Sequence, residues 1–372
     1  MTDQVTLQVP PLRVHFPEED LPVILRQIEG CLRSGQLAQG PWVREFEREF
    51  ASYVGTSCAL ATSSGTTALE AVLRGIGVAR ADVLVPDNTF IATLAAVVAA
   101  SARPVLADIA LLTAAPTVAT LEAARTPHTA GVIIVHIGGL ISPDLPAIRA
   151  WCAQQRLWLV EDASHAHGSA LAGQPAGTLG RAAAFSLFAT KVITTGEGGI
   201  VVTDEADLAE RIAILRDHGK PNAHENRHVT LGANWRMSEI HAILGLAQLR
   251  RLGEFLAARE RIAVRYIAGL QHLGVTVLRP SGRSSWYKFI VLLPEGVEKA
   301  KVRVQMREQG VMLPGDVYAI PLHRQPAVAP WARGRYPGAE AFTRRHLCLP
   351  IFVGMREEEV DRVVDAFSRS LR

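Results

Sequence analysis

Cysteine is scarce: Cys31, Cys58, Cys152 and Cys348 are the four in 372 residues, and no two form a CxxC pair. That excludes a zinc ribbon or a disulfide framework and points to a reducing cytoplasm. Charge of one sign is missing too. Lys and Arg number 39 against 36 Asp and Glu, a net of +3, so there is no electrostatic footprint for nucleic acid or an anionic membrane. The N-terminus carries Asp3, Glu18, Glu19 and Asp20 where an export signal needs a basic start and an apolar run. The most membrane-like stretch, residues 91–112, is broken by Arg103, Pro104 and Asp108, short of the roughly 18 uninterrupted apolar residues of a span. It reads as a buried helix followed by a buried strand. GxxxxGK[ST] and a strand-borne GxGxxG are absent, which removes the signatures of triphosphate and dinucleotide sites. Disorder is excluded by 48% hydrophobic and 20% charged residues. At roughly 150 residues per domain, the length suggests two domains.

What is present alternates. From about Glu18 to Gly55 the pattern predicts an amphipathic helix, a small-residue turn at residues 34–40 and a second helix after Pro41. Short apolar runs then follow at residues 58–62, 82–86, 104–108, 131–136, 157–162, 183–187 and 199–204, separated by helical stretches such as 67–77 and 144–156. Such runs imply βα units and an α/β fold, with a largely parallel sheet covered on both faces. After a long helical stretch, residues 237–274, the text changes to isolated strands at 276–280 and 286–294 and one more helix at the end. A domain boundary is expected near Glu254, dividing the chain into 1–254 and 255–372. No internal repeat appears.

Three segments can carry chemistry. In residues 58–73 an apolar strand runs through Ser63, Ser64, Gly65, Thr66 and Thr67 directly into a helix, whose free amides and partial positive charge make an anion site. The plain alternative is an ordinary N-cap. In residues 157–169 a buried strand ends in Glu161 and Asp162. Alternation along a strand sends these to opposite faces, so they are no acid–base pair, and Asp162 at a carboxyl strand end is placed to meet a ligand. His165 and His167 follow, without a third metal ligand at a recognised spacing, and no metal is expected. In residues 183–204 a single lysine, Lys191, lies between an apolar strand and a turn containing Gly196, Gly198 and Gly199. It follows Asp162 by 29 residues, about one further βα unit, so a parallel sheet can bring both to one edge. Desolvation lowers an amine's pKa toward Schiff-base chemistry, and glycines allow close backbone approach. A phosphate site, a lone carboxylate and a desolvated lysine are together what pyridoxal phosphate needs.

The sequence also resembles the DegT/DnrJ/StrS sugar aminotransferases of pyridoxal phosphate fold type I. The resemblance runs in family order through residues 34–55, 61–78, 85–109, 160–169, 185–204, 231–249 and 320–326. It implies a large domain with a mostly parallel mixed sheet between helices and a smaller C-terminal α/β domain. It implies that Lys191 carries the cofactor and moves protons, that Asp162 pairs with the pyridine nitrogen, and that His165 lies near the ring's phenolic oxygen. Phe90 would stack on the ring, and Thr66, Thr67 and Ser186 would contact the phosphate. Asn234 would reach the phosphate of the neighbouring subunit in a homodimer with shared sites. Tyr318, Leu322 and His323 fall in the region where the family binds substrate. One departure is local: at Ile137 and Gly138 the family more often has an aromatic. The implied reaction moves an amino group from L-glutamate, or glutamine, to a nucleotide-linked keto sugar. A keto-inositol acceptor is the nearest alternative. The family's dehydratases have histidine at the position of Lys191, and a non-catalytic relative would have lost the cofactor residues.

Overall fold

The computed structural model describes residues 8–222 and 225–372; Asp3 lies outside them. Strands form at β1 Cys58–Thr62, β2 Asp82–Pro86, β3 Arg103–Ala107, β4 Thr129–Val135, β5 Trp158–Asp162, β6 Ala170–Leu171, β7 Gln174–Pro175, β8 Ala182–Ser186, β9 Gly199–Thr203, β10 Thr276–Val277, β11 Phe289–Leu292 and β12 His346–Leu349. Seven of them build one sheet in the order β1-β9-β8-β5-β4-β2-β3. From β8 across to β3 every neighbour is parallel, whereas β9 runs antiparallel to both β1 and β8. The reversal has a simple cause. A parallel return needs a crossover, usually a helix, but residues 187–198 instead fold back on themselves, Leu187 N–H donating to Gly198 O at 2.8 Å and Thr195 N–H to Leu187 O at 3.0 Å.

Alternation along the strands feeds two apolar layers. Val83, Val85, Ile133 and Val160 face one core with Leu69, Leu73 and Ile212. Leu84, Val132, Ile134 and Leu159 face the other with Phe46, Phe50 and Ile148. Fully burying each such side chain contributes about 1.5–3 kcal/mol. Helices Gly65–Ile76 and Ala206–Arg216 supply the first layer, and Pro41–Val54 and Leu145–Gln155 the second. The start of Pro41–Val54 is closed from a distance. Buried Glu239 accepts from the N–H groups of Gly40, Trp42 and Val43 at 2.8, 2.9 and 3.0 Å, satisfying donors that a helix start leaves open.

The span-like stretch resolves into helix Ile91–Ala99 and β3, and among the described residues no helix is long and apolar enough to cross a membrane. Helix Glu239–Leu270 runs unbroken through Glu254. Its Leu249, Leu252, Phe255 and Leu256 pack against the large sheet, while Ile262, Tyr266 and Leu270 pack with β11, β12 and helix Glu357–Ser370. Val9 joins this second group and bridges to Val311. The C-terminal part holds more than the single helix and two strands expected: helices Lys299–Glu308 and Pro337–Arg345 and strand β12 precede the last helix. Helix Lys299–Glu308 buries only Val302 and Met306, too few apolar positions to register as a periodic stripe.

Candidate active site

The parallel order brings the carboxyl ends of β2, β5 and β8 to one edge of the sheet, and β1 ends on that same edge. There a cavity of about 610 Å³ opens, with Thr66, Phe90, Asp162, His165, Ser186 and Lys191 on its wall. Its opposite side comes from Tyr287, Lys288 and the segment Leu313–Tyr318, and the N-terminal residues Pro11 and Leu12 reach its rim.

At the end of β1, Ser64 caps helix Gly65–Ile76. Thr67 N–H donates to Ser64 Oγ at 3.1 Å, and Ser64 N–H donates to Thr67 Oγ1 at 3.0 Å. The cap turns the Thr67 hydroxyl back onto the chain, so Thr66 but not Thr67 lines the cavity. Two glycines permit the close layering here. A Cβ on Gly65 would lie 2.8 Å from Ser186 Cβ, and one on Gly199 would lie 2.2 Å from Ser64 O.

Asp162 is 5% exposed. Thr93 donates its hydroxyl proton to Asp162 Oδ2 at 2.7 Å, and Ser164 N–H donates to Oδ1 at 3.2 Å. Since Thr93 gives its proton away, Thr89, 2.7 Å from it, is its donor. Glu161 faces the other side of the sheet. It accepts from the N–H groups of Gly177, Leu179 and Gly180 and pairs with His136 Nε2 at 2.9 Å.

Lys191 projects from the reversed loop with its Nζ 4.7 Å from the centroid of the Tyr287 ring. Burial pushes its pKa down from 10.5 to about 8, Asp162 opposing the shift and Lys288 adding to it. His165 stacks on Tyr287 at 4.3 Å between centroids. Its Nδ1 accepts from Gly138 N–H at 3.3 Å, so the proton sits on Nε2, 3.4 Å from Tyr318 Oη. Burial holds its pKa well below the usual range, with the charge of Lys191 next in effect. Gly138, at φ +66°, brings its backbone against Ile290, where a Cβ would lie 2.7 Å from Cδ1; the departure at Ile137 and Gly138 therefore suits this close packing.

His167 is a core residue beside Phe185 at 5.3 Å, its pKa pushed down by burial to about 3. Residues 224–228 spell HENRH, the string HExxH. That pattern binds zinc from a helix, whereas residues 225–228 lie in a bend and irregular chain and His224 falls outside the described residues. Among the described residues no cluster of three His, Cys, Asp or Glu side chains is placed for a metal.

Two more of the expected residues lie off the cavity wall. His323 is held by Asp87, its N–H donating to Oδ1 at 2.8 Å and its Nδ1 lying 2.7 Å from Oδ2; the neighbouring Leu322 N–H donates to Asp87 O at 2.9 Å. Asn88 clamps the same segment, accepting from Tyr318 N–H at 3.2 Å. Asn234 is exposed on the loop that follows Gly232, and its side chain has no partner among the described residues. Thr93, Tyr287 and Lys288 are site residues that sequence reasoning missed. The i, i+4 pair Thr89 and Thr93 at a helix start, and a lysine beside an apolar strand, were the available signals.

The profile of the DegT/DnrJ/EryC1/StrS aminotransferase family matches residues 21–368. The chain belongs to this family. It is 36% identical to the GDP-perosamine synthase of Caulobacter vibrioides over 89% of this chain and 91% of that protein. The solved structure of DesV from S. venezuelae superposes with a TM-score of 0.92 at 33% identity, covering 99% of this chain and 100% of DesV. NtdA of Bacillus subtilis, solved with bound cofactor PMP, gives 0.90 at 27% identity over 100% of this chain and 86% of NtdA. This member of the DegT/DnrJ/EryC1/StrS family is an aminotransferase that uses pyridoxal phosphate.

The donor set suits that cofactor. A helix start leaves the N–H groups of Gly65 and Thr66 without helical acceptors, ready for a phosphate beside Ser186. The Lys191 amine is desolvated, and the Asp162 carboxylate is fixed by Thr93 and Ser164 on the same wall.

Proposed function

We propose that this aminotransferase moves an amino group from L-glutamate, or glutamine, to a ketone on a nucleotide-linked sugar, in the cytoplasm, as a homodimer whose sites are shared between subunits. The observation that carries the reading is the juxtaposition of a desolvated Lys191 amine and a fixed Asp162 carboxylate in one cavity. The relatives support the acceptor class: they include a GDP-perosamine synthase and a dTDP-amino-sugar transaminase. Four free cysteines suit a reducing compartment.

When bound, the cofactor supplies an electron sink for the carbon that loses its proton. The chain's own groups do the rest. Thr66, Ser186 and the partner subunit's Asn234 would hold the phosphate, Phe90 would lie on the ring and His165 would sit beside its phenolic oxygen, while Thr67, engaged with Ser64 through both its hydroxyl and its N–H, would serve by shaping the cap. Asp162 holds a proton at the pyridine nitrogen. Lys191, with a pKa of about 8, takes and returns protons at the donor and acceptor carbons near neutral pH. Tyr318, held by Asn88 on the cavity wall, would meet the substrate directly, whereas His323, held by Asp87 off that wall, would act through the segment that it anchors. We also divide the chain into a large cofactor-binding domain, 1–254, and a small domain, 255–372. The change of packing partner along helix Glu239–Leu270 supports that division.

The test is to incubate purified protein with glutamate and a panel of nucleotide keto sugars and keto-inositols, and to detect aminated product by mass. An aminated nucleotide sugar is expected. Amination of a cyclitol alone would overturn the acceptor class.

A further inference from the structure

Lys288 follows Tyr287 and precedes β11, and its ammonium lies on the cavity wall 5.2 Å from the centroid of the Tyr287 ring. Lys191 Nζ is 4.7 Å from the same centroid, so the two nitrogens stand no more than about 10 Å apart. Lys288 is half-buried, and apart from the Tyr287 ring its ammonium has no ion-pair or side-chain hydrogen-bond partner among the described residues. The nearest acidic side chain on that wall, Asp316, is already engaged by Lys299 and Arg303, each at 3.0 Å. Other neighbours offer no anion: Arg259 is itself cationic and its guanidinium is bound to Trp286 O and Ile351 O, each at 3.0 Å. Burial lowers the Lys288 pKa, as expected for an ammonium without a counter-charge. A cation in this position is costly until an anion enters.

We propose that Lys288 binds a carboxylate of the amino-acid donor. The inference rests on the reading that glutamate or glutamine is the donor. The donor must bring its α-carbon to Lys191, and its carboxylates then lie within roughly 5 Å of the reacting nitrogen; Lys288, on the same cavity wall and no more than about 10 Å from Lys191 Nζ, is an unpaired cation beside that space. A phosphate of the acceptor is the other anion that could meet this lysine, but it is attached beyond the sugar ring, farther from Lys191 than a donor carboxylate.

The experiment uses cofactor-loaded enzyme mixed with L-glutamate or L-glutamine alone, following the cofactor's visible absorbance as the donor half-reaction proceeds. Lys288→Gln is expected to raise the concentration of donor needed for half-saturation at least tenfold, with Lys288→Arg recovering part of the loss. Weakening of both donors assigns the α-carboxylate, and weakening of glutamate alone assigns the side-chain carboxylate. The KM of the acceptor should stay within a factor of about two. An unchanged half-saturation in Lys288→Gln, or a loss confined to the acceptor, overturns the proposal. A wild-type enzyme that reacts with neither amino acid overturns the donor reading instead. Cofactor absorbance and melting temperature of the variants check that the fold is intact.

Discussion

Thr93 donates to Asp162 at 2.7 Å across 69 residues of sequence, joining a helix after β2 to the end of β5. The bond orients the carboxylate toward the cavity. Thr93→Val keeps the shape and removes the donor. A hydrogen bond to a charged group is worth about 1.5–3 kcal/mol, so kcat at saturating cofactor should fall by roughly tenfold to a hundredfold. An unchanged kcat would show that Ser164 N–H alone suffices.

Adjacent Glu161 and Asp162 should fail in different ways. Asp162→Asn removes the charge beside the reacting groups, and we expect kcat to drop by at least about a hundredfold with little change in melting temperature. Glu161→Gln exchanges one acceptor oxygen for an NH2 donor, so either Gly177 N–H or the N–H groups of Leu179 and Gly180 lose their acceptor. It should cost about 1–3 kcal/mol of stability while kcat per folded molecule is retained. Kinetics and denaturant unfolding of both variants distinguish the two.

Lys191 makes the cofactor-free protein pH-sensitive. Its pKa falls from 10.5 in the unfolded chain to about 8 in the fold, so between those values the unfolded state binds more protons. Stability from this group therefore rises with pH through that window, and below it the buried charge is a burden of about 3 kcal/mol. Cofactor-free Lys191→Met should be the more stable protein at pH 7 and lose this part of the pH dependence in thermal melts. Lys191→Ala should show no visible cofactor band of the bound form and no turnover.

Gly199→Ala should be severe for a position without any side-chain role. The added Cβ would lie 2.2 Å from Ser64 O and 2.6 Å from Gly65 N, both backbone atoms, so β1 and β9 must part at the helix cap. We expect about 3 kcal/mol or more lost in denaturant unfolding and weaker cofactor retention on dialysis. Gly253→Ala, where nothing lies within 4 Å of the new atom, should instead be stabilising or neutral.

Asn234 tests the shared site. A dimer mixing one Lys191→Ala chain with one Asn234→Asp chain collects both lesions in one site and leaves the other intact. Two inactive homodimers should then regain part of the wild-type rate on subunit exchange, provided that the new carboxylate repels the phosphate strongly. No recovery after verified exchange rejects the arrangement.

The sequence by itself determined the α/β class, the seven strand positions of the main sheet, the helix cap after β1 and the opposite facing of Glu161 and Asp162. These depend on periodicity, capping and alternation, which act within a few residues. It also singled out Lys191 and Asp162, through their chemistry and the family resemblance, and the structure brings both to one cavity wall. Only the tertiary structure decided that β9 runs backwards, that the Thr67 hydroxyl turns into the cap, that His323 docks on Asp87, that Thr93 reaches Asp162, and that Tyr287 and Lys288 line the cavity. Each of the last group depends on strand order and on packing between segments distant in sequence, and no local pattern of residue types encodes which segments will meet.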